Sequence, residues 1–489
     1  MSAVQQSLRW ALPVLALGML AQGQSLLDGL TTAELSAKTP AAATTAAGAS
    51  TANAALREFV AAYTQGNDEK IVSTALRLVE LAPNDEATEL AVRALSGQIE
   101  SRGRDLTDAV PAIERALSEP IENPVTAYML GHMLLAAVNA PGIALTQSRA
   151  EQLAGRLPHW QLYGPFGRWQ NLDFDKKLAV ETTIAPTYTD GAEIRRPQGF
   201  ESAGNAVSMP EDWTTVGMDA AVSYVNAAHA TRLLLRIYSP ASVVVTINGV
   251  EVLRNDRRRS YTPATSNAAV ELKAGWNRVV VKLAGEASRY FDLMLRPSAA
   301  LGRTGEELKD AATLPEGSKL AGDPQLLAAP RTLAVWAEKR TASGKDAVAE
   351  WANGVRLMQD EDAEHGRVAL ATATELAPQS AAAWLDLARA YTLLPDASES
   401  WSAAQEESAS QRALKLDPHN PRAFDALGHV YQSQGKTPEA AQQYAQCASK
   451  GFADCDWALF RLAAQQRWVP EAETALGHAL AESGSNWDN

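Results

Sequence analysis

The chain is poor in the residues and runs on which most enzyme and membrane architectures depend. Its two cysteines, Cys447 and Cys455, have no nucleophile-type setting, and no cysteine directly follows the N-terminal apolar run, so a bacterial lipoprotein anchor is not indicated. Its seven histidines, at 132, 159, 229, 365, 419, 429 and 478, include no His-x-x-x-His pair and none joined by glutamate in a zinc-protease pattern, so no metal centre is expected. There is no Gly-x-Ser-x-Gly elbow and no phosphate-cradling glycine loop, and no catalytic residue or cofactor is assigned. Basic charge is short as well: 44 Lys and Arg against 57 Asp and Glu leave a formal net charge of −13. Phosphate binding needs a basic face, so the balance argues against a nucleic-acid partner. The apolar run from Trp10 to Ala21 falls short of the roughly 20 residues that a spanning helix requires, so no transmembrane span is expected beyond it.

What is there begins with that run. Arg9 precedes it and the small-residue pattern Ala21-Gln22-Gly23 follows, which suits a secretory signal peptide over 1–23, cleaved near Gln24. A single basic residue and Pro13 within the run leave an uncleaved anchor or a mis-assigned start as the other readings. The expected location is the periplasm or cell envelope. Ser36 to Asn53 is rich in Ala and Thr, and 24–53 reads as a disordered linker. Beyond it, 46% apolar content in 489 residues can fill several cores, and two to four domains are expected.

The clearest pattern lies at Phe424, Leu427, Gly428, Tyr431, Ala440, Tyr444 and Cys447, the spacing of a helix–turn–helix repeat. Trp384, Leu387, Ala388, Tyr391, Ala413 and Pro418 repeat it. Gly354, Leu357, Gly366, Leu370, Ala373 and Pro378 repeat it again with a weaker first helix. Pro418 stands 40 residues beyond Pro378, against a repeat of about 34, so Leu394 to Trp401 should form a longer turn. Small residues let two helices approach, large ones fill the gap, and proline stops the second helix. These residues resemble the tetratricopeptide repeat family over 345–480, and an array over 341–482 is expected, followed by a polar tail at 483–489. The resemblance implies stacked pairs and a concave groove that holds a peptide or protein segment. Between the packing positions of the first helices stand Asp386, Arg389, Asp425, His429 and Gln432, the expected groove contacts. A fainter helical pattern runs over 54–157, with segments at 86–101, 107–118, 124–138 and 143–156. It reads as a degenerate array of the same kind or as an irregular bundle.

The period changes at Trp160. Short β-branched runs at 220–227, 231–238, 242–248, 269–272, 276–284 and 289–296 mark strands. Asn248-Gly249 signals a type I′ hairpin, and Lys273-Ala274-Gly275 links another pair. An antiparallel β-sandwich over 158–300 is expected, with Trp160–Phe174 at its edge and a linker with short helices over 301–340. Trp160, Tyr163-Gly164-Pro165-Phe166, the run Val245 to Val252 and the run Leu272 to Lys282 resemble galactose-binding-domain-like jelly rolls. That resemblance implies fold alone. Sugars stack on exposed aromatics beside carboxylates and amides, which makes Trp169, Tyr188, Trp213 and Tyr261 candidate glycan contacts. The opposing reading has Trp160, Trp169 and Trp213 cap the sandwich core or dock it onto the helices.

Three smaller features complete the reading. Cys447 and Cys455 are either a disulfide between successive helices or two small apolar residues. The cluster Arg254, Arg257, Arg258, Arg259 reads as a solvated loop, and Asp360, Glu361, Asp362, Glu364 as a solvated turn. The order of segments is similar to the N-terminal part of exported bacterial proteins that continue into a transglutaminase-like domain. The sequence thus describes an α+β multidomain protein, helical repeat arrays flanking a jelly-roll sandwich, serving as a non-catalytic exported scaffold for a peptide or protein. The alternatives are a carbohydrate or cell-wall binding module acting through the sandwich and an accessory domain of a transglutaminase-like enzyme system.

Overall fold

The computed structural model describes residues 46–102, 109–138, 143–167, 174–190, 193–202, 206–210, 213, 217–257, 264–285, 289–298, 308–394, 397–450 and 452–483. Among the described residues six helices come first: α1 (Ala46–Gln65), α2 (Asp68–Leu81), α3 (Glu86–Arg102), α4 (Val110–Ser118), α5 (Pro124–Ala137) and α6 (Gln147–Ala154). Local chemistry sets their limits. Asn123 caps α5 by accepting from Val125 N and Thr126 N, and Pro124 takes the first position, where its missing N–H costs nothing. Helix α1 starts at Ala46, inside the stretch expected to be disordered linker, because Ala-rich sequence needs only a buried stripe to become helix. Ala52, Ala55, Leu56, Phe59 and Ala62 supply that stripe.

Strands follow: β1 (His159–Phe166), β2 (Tyr188–Asp190), β3 (Glu193–Arg195), β4 (Gln198–Glu201), β5 (Val207–Ser208), β6 (Met218–Ala227), β7 (Thr231–Tyr238), β8 (Ser242–Ile247), β9 (Val250–Asn255), β10 (Thr265–Leu272), β11 (Gly275–Ala284), β12 (Tyr290–Pro297), β13 (Lys309–Ala311) and β14 (Gln325–Leu326). Nine helices follow among the described residues: α7 (Leu333–Ser343), α8 (Ala347–Gln359), α9 (Ala363–Leu376), α10 (Ala381–Thr392), α11 (Glu399–Leu416), α12 (Pro421–Ser433), α13 (Thr437–Ala448), α14 (Ala453–Gln466) and α15 (Val469–Ser483). The protein is mixed α+β.

Two units share these elements, and neither is a continuous stretch of chain. One takes residues 46–81, 93–102 and 333–483; the other takes 82–92 and the described residues of 106–332. The segment 54–157, expected to be one array, is therefore divided: α1 and α2 belong with the C-terminal helices and α4 to α6 with the strands.

In the second unit one sheet has the order β4-β1-β6-β11-β8-β9 with β13 beside β6, and the other has the order β14-β10-β7-β12-β5. Leu233, Leu235 and Ile237 of one sheet share a core with Ala221, Val225, Val279 and Val281 of the other, so alternate residues of each strand face inward. Asn248 and Gly249 have φ of 52° and 83°, as a tight hairpin from β8 to β9 requires. Lys273-Ala274 makes no hairpin, because β10 and β11 lie in different sheets. Strand β1, the described part of the Trp160–Phe174 segment in the sheet, is not an edge: it pairs with both β4 and β6, and β4 takes the outer place. Part of the expected 301–340 linker joins the sheets through β13 and β14.

Helices α4 to α6 pack on the β7–β12 side of this unit. Arg296 of β12 is fully buried and donates to the carbonyl oxygens of Leu117, Leu153 (3.2 Å) and Glu119 (3.4 Å), where α4 and α6 end. Helix C-termini leave carbonyls unpaired and carry partial negative charge, so a guanidinium serves both needs. Beside it Arg156 pairs with Asp292, Tyr128 donates to Asp292 (2.7 Å), and Arg236 stacks on the Tyr128 ring. The opposite face, on the β6–β11 sheet, is covered by residues 174–188. Lys282 holds Glu181 at 2.9 Å and Arg278 donates to the carbonyls of Glu181 and Thr182.

In the first unit α8/α9, α10/α11, α12/α13 and α14/α15 form successive antiparallel pairs. Asp346, Ser380 and Asn420 cap α8, α10 and α12 with their side chains. A Cβ on Gly428 would lie 2.5 Å from the Tyr444 ring, and one on Gly354 would lie 2.5 Å from Leu370, so each glycine admits the large residue of its partner helix. The extra residues of the middle repeat go only partly into a longer turn. Helix α11 has 18 residues against 14 in α9 and 12 in α13, and Trp401 lies within it, edge-on to Tyr391.

Candidate functional site

The first helices of the pairs touch one another in succession, α8 with α10 and α10 with α12, in addition to their own partners. Close approach along one row bends a stack toward that row, so the first helices line the inner face. On this face stand Trp351 of α8, Asp386 of α10, Arg422 of α12, and Asn420 and Phe452 at the helix starts.

The end of α1 is seated there. Asp386, 3% exposed, accepts from Trp351 Nε1 (2.7 Å), Arg422 Nη2 (2.9 Å) and the Tyr63 hydroxyl (3.2 Å). The Arg422 guanidinium lies 5.0 Å from the centre of the Tyr63 ring, and Trp351 meets that ring edge-on at 6.1 Å. The main chain of α1 is held as well: Arg422 Nη1 donates to Tyr63 O (3.1 Å) and Asn420 Nδ2 to Thr64 O (3.0 Å). Gly66 has φ of +66°, and a Cβ there would come within 2.7 Å of Phe452 and 2.9 Å of Arg422. Burial, and then the Asp386 carboxylate, push the Tyr63 hydroxyl above its ordinary pKa, so it donates at neutral pH.

The expected groove residues therefore have different surroundings. Asp386 is occupied by the chain itself. Gln432 accepts from the Tyr444 hydroxyl (2.8 Å) and belongs to the packing of α12 on α13. Asp425 is half-buried, and its carboxylate lies 3.6 Å from exposed His429 and 3.4 Å from Cys455 Sγ. Arg389 is exposed. Cys447 and Cys455 are both buried and joined by a disulfide, with Cα atoms 5.8 Å apart. Buried Glu406 of α11 has its carboxyl raised to about 7, first by burial and then by the charge of Asp425.

Arg422, Asn420, Trp351 and Tyr63 were not legible as a set. Asn420-Pro421 reads only as a helix start, and nothing local connects Tyr63 with Asp386, 323 residues away. The one available signal was spacing: Arg422 and Asp386 are polar residues 36 apart on successive first helices.

Of the sandwich candidates for sugar contact, the two among the described residues are buried. Trp213 is 3% exposed and belongs to the core between the sheets, with Trp160. Tyr188 is 8% exposed; its hydroxyl donates to Gly164 O (2.6 Å) and accepts from Gly164 N (2.8 Å), which uses its polar end. Trp169 and Tyr261 lie outside the described residues. Of the arginine cluster, Arg254 pairs with Glu251 and Asp175, and Arg257 donates to the carbonyls of Ser239 and Pro240; Arg258 and Arg259 lie outside the described residues. The acidic run is not simply a solvated turn. The Asp360 side chain, 7% exposed, lies between Arg93 (2.9 Å) and Arg356 (2.8 Å), and buried Asp362 caps α9. Among the described residues no helix is long and apolar enough to cross a membrane.

No protein-family model matches the chain, and no curated protein matches it either. Among solved structures, MamA is similar at 20% identity and a TM-score of 0.28, over 31% of this chain and 85% of that one. TTC0263, a thermophilic TPR protein of Thermus thermophilus, is similar at 17% identity and 0.29, over 32% and 84%. The APC/C hetero-tetramer Cut9-Hcn1 is similar at 15% and 0.21, over 31% and 36%. Likeness at this level says nothing of a partner or a role.

Proposed function

We propose that the protein is a non-catalytic, exported scaffold that captures a polypeptide segment on the first-helix face of the C-terminal helix pairs. One observation carries this reading: the face already binds polypeptide, and does so through main-chain carbonyls as well as a side chain, since Arg422 and Asn420 donate to Tyr63 O and Thr64 O. Donors aimed at backbone oxygens read a helix end whatever its sequence, while pockets beside them supply preference. Beyond the α1 seat, Arg389, Asp425 and His429 offer charged groups of both signs for a partner's side chains. In this reading the two-sheet domain is a jelly roll of the galactose-binding-like kind that acts as a body and not as a lectin. The burial of Trp213 and Tyr188 favours that role.

The test is capture by the purified chain from a periplasmic and envelope fraction, with cross-links mapped by mass spectrometry. Cross-links to α10 and α12, and capture reduced at least fivefold by Arg389→Ala with His429→Ala, are the expected results. Retention of polysaccharide alone, or a partner cross-linked only to the sheets, would remove the reading.

A further inference from the structure

The seat of α1 differs from an ordinary core contact in chemistry. Helix α1 packs principally on α2, and of the array helices it meets α12 most closely. The seat consists of one tyrosine, two terminal carbonyls and one glycine, received by a carboxylate, a guanidinium, an amide and two aromatic rings. Carbonyls without a helical i+4 partner occur only in a helix's last turn, and Tyr63 O keeps just the tighter bond from Gly66 N (3.1 Å), so donors placed for them recognise a helix end. The cationic guanidinium also meets the negative end of the helix dipole. Phe59, Tyr63 and Gly66 stand at the spacing Phe-x-x-x-Tyr-x-x-Gly, with the two rings 6.1 Å apart on one side of the helix.

We propose that the first-helix face is a receptor for the C-terminal end of an amphipathic helix that ends in the Tyr-x-x-Gly part of this pattern. Helix α1 is its resident occupant, and a partner helix that ends in the same way displaces it. The occupant is tethered, so its effective concentration at the seat is on the order of millimolar, and a free helix meets a site that is vacant only part of the time. Apparent affinity falls in proportion to that vacant fraction. A change that unseats α1 without touching the receptor should therefore tighten binding of a free copy. Gly66→Ala is such a change, because it forces a side chain into left-handed backbone against Phe452 and the Arg422 stem when α1 is seated, while every receptor residue keeps its identity.

The experiment uses the full chain and a fluorescein-labelled, amidated peptide of residues 54–67, read by fluorescence anisotropy. Gly66→Ala protein should bind it at least tenfold more tightly than wild type. Adding Arg422→Ala should remove that gain, and a peptide carrying the same glycine substitution should bind neither protein. Equal affinity for the two proteins, with circular dichroism showing the variant folded, would overturn the proposal. Hydrogen exchange on the wild-type chain decides the matter should the variant not fold. Amides of 58–65 should exchange at least tenfold faster than those of α12 and α13, and equal protection would make α1 a fixed part of the core. The inference rests on the scaffold reading, but the two fail separately: equal peptide affinity removes the role of α1 and leaves partner capture to be judged by its own cross-links.

Discussion

Single residues carry more of this structure than their exposure implies. Gly428 exists so that Tyr444 can cross under α12, and alanine would place a methyl 2.5 to 2.9 Å from three ring atoms. Gly428→Ala should destabilise the helical unit by about 1–3 kcal/mol, seen as an earlier thermal transition by circular dichroism. Glu406 makes a statement about pH. Its folded-state value of about 7 lies above the ordinary carboxylate value, so the folded protein holds that proton more tightly than the unfolded chain. The stability this contributes is fully present below the unfolded value and is lost as pH rises through 7. Melting of the helical unit should therefore come earlier at pH 8 than at pH 5, by on the order of 2–3 kcal/mol from this group. Glu406→Gln should flatten the profile, and an unchanged slope would show that Glu406 does not set it.

Elements were legible where a period and a punctuating residue agreed. Strands β6, β7, β8 and β11 and helices α3, α5 and α8 to α13 fall on runs whose apolar spacing and flanking Gly, Pro, Asn or Ser residues state their type. Elements defined by what covers them were not. Helix α1 extends into Ala/Thr-rich sequence with no periodic cue, and Trp213, next to Glu211 and Asp212 in sequence, looks like a loop aromatic although it fills the core. The Arg296 contact is also of this kind, since a lone arginine in β12 gives no sign that two helices end upon it. Arg296→Met should leave those carbonyls without a donor at a cost of about 1–3 kcal/mol. Limited proteolysis should then cut within 110–154 while the sheets stay protected. Equal protease resistance would show that apolar packing alone holds these helices.

For the whole molecule, sequence order and spatial grouping disagree. The α+β content could be read, but the division into units could not, because it depends on which distant segments bury one another. The disulfide offers a way to address one unit alone. It closes a separation of 8 residues between α13 and α14, and a loop of that size constrains the unfolded chain by about 2–3 kcal/mol. A thiol reductant should lower the melting transition of the helical unit and leave that of the sheet unit in place; a parallel fall in both would mean that they unfold together.

The distance in sequence between Tyr63 and Asp386 has a consequence in time. At ribosomal rates of about 5–20 residues per second, roughly 15–65 s pass between the synthesis of α1 and that of the face that receives it. Throughout that interval Phe59 and Tyr63 lack their final surroundings, so the newborn chain presents its own helix end before it has anything to bind it. A ribosome halted before α8 would display that end to every holdase in reach, and nascent-chain crosslinking at position 63 should fall once residue 452 has emerged.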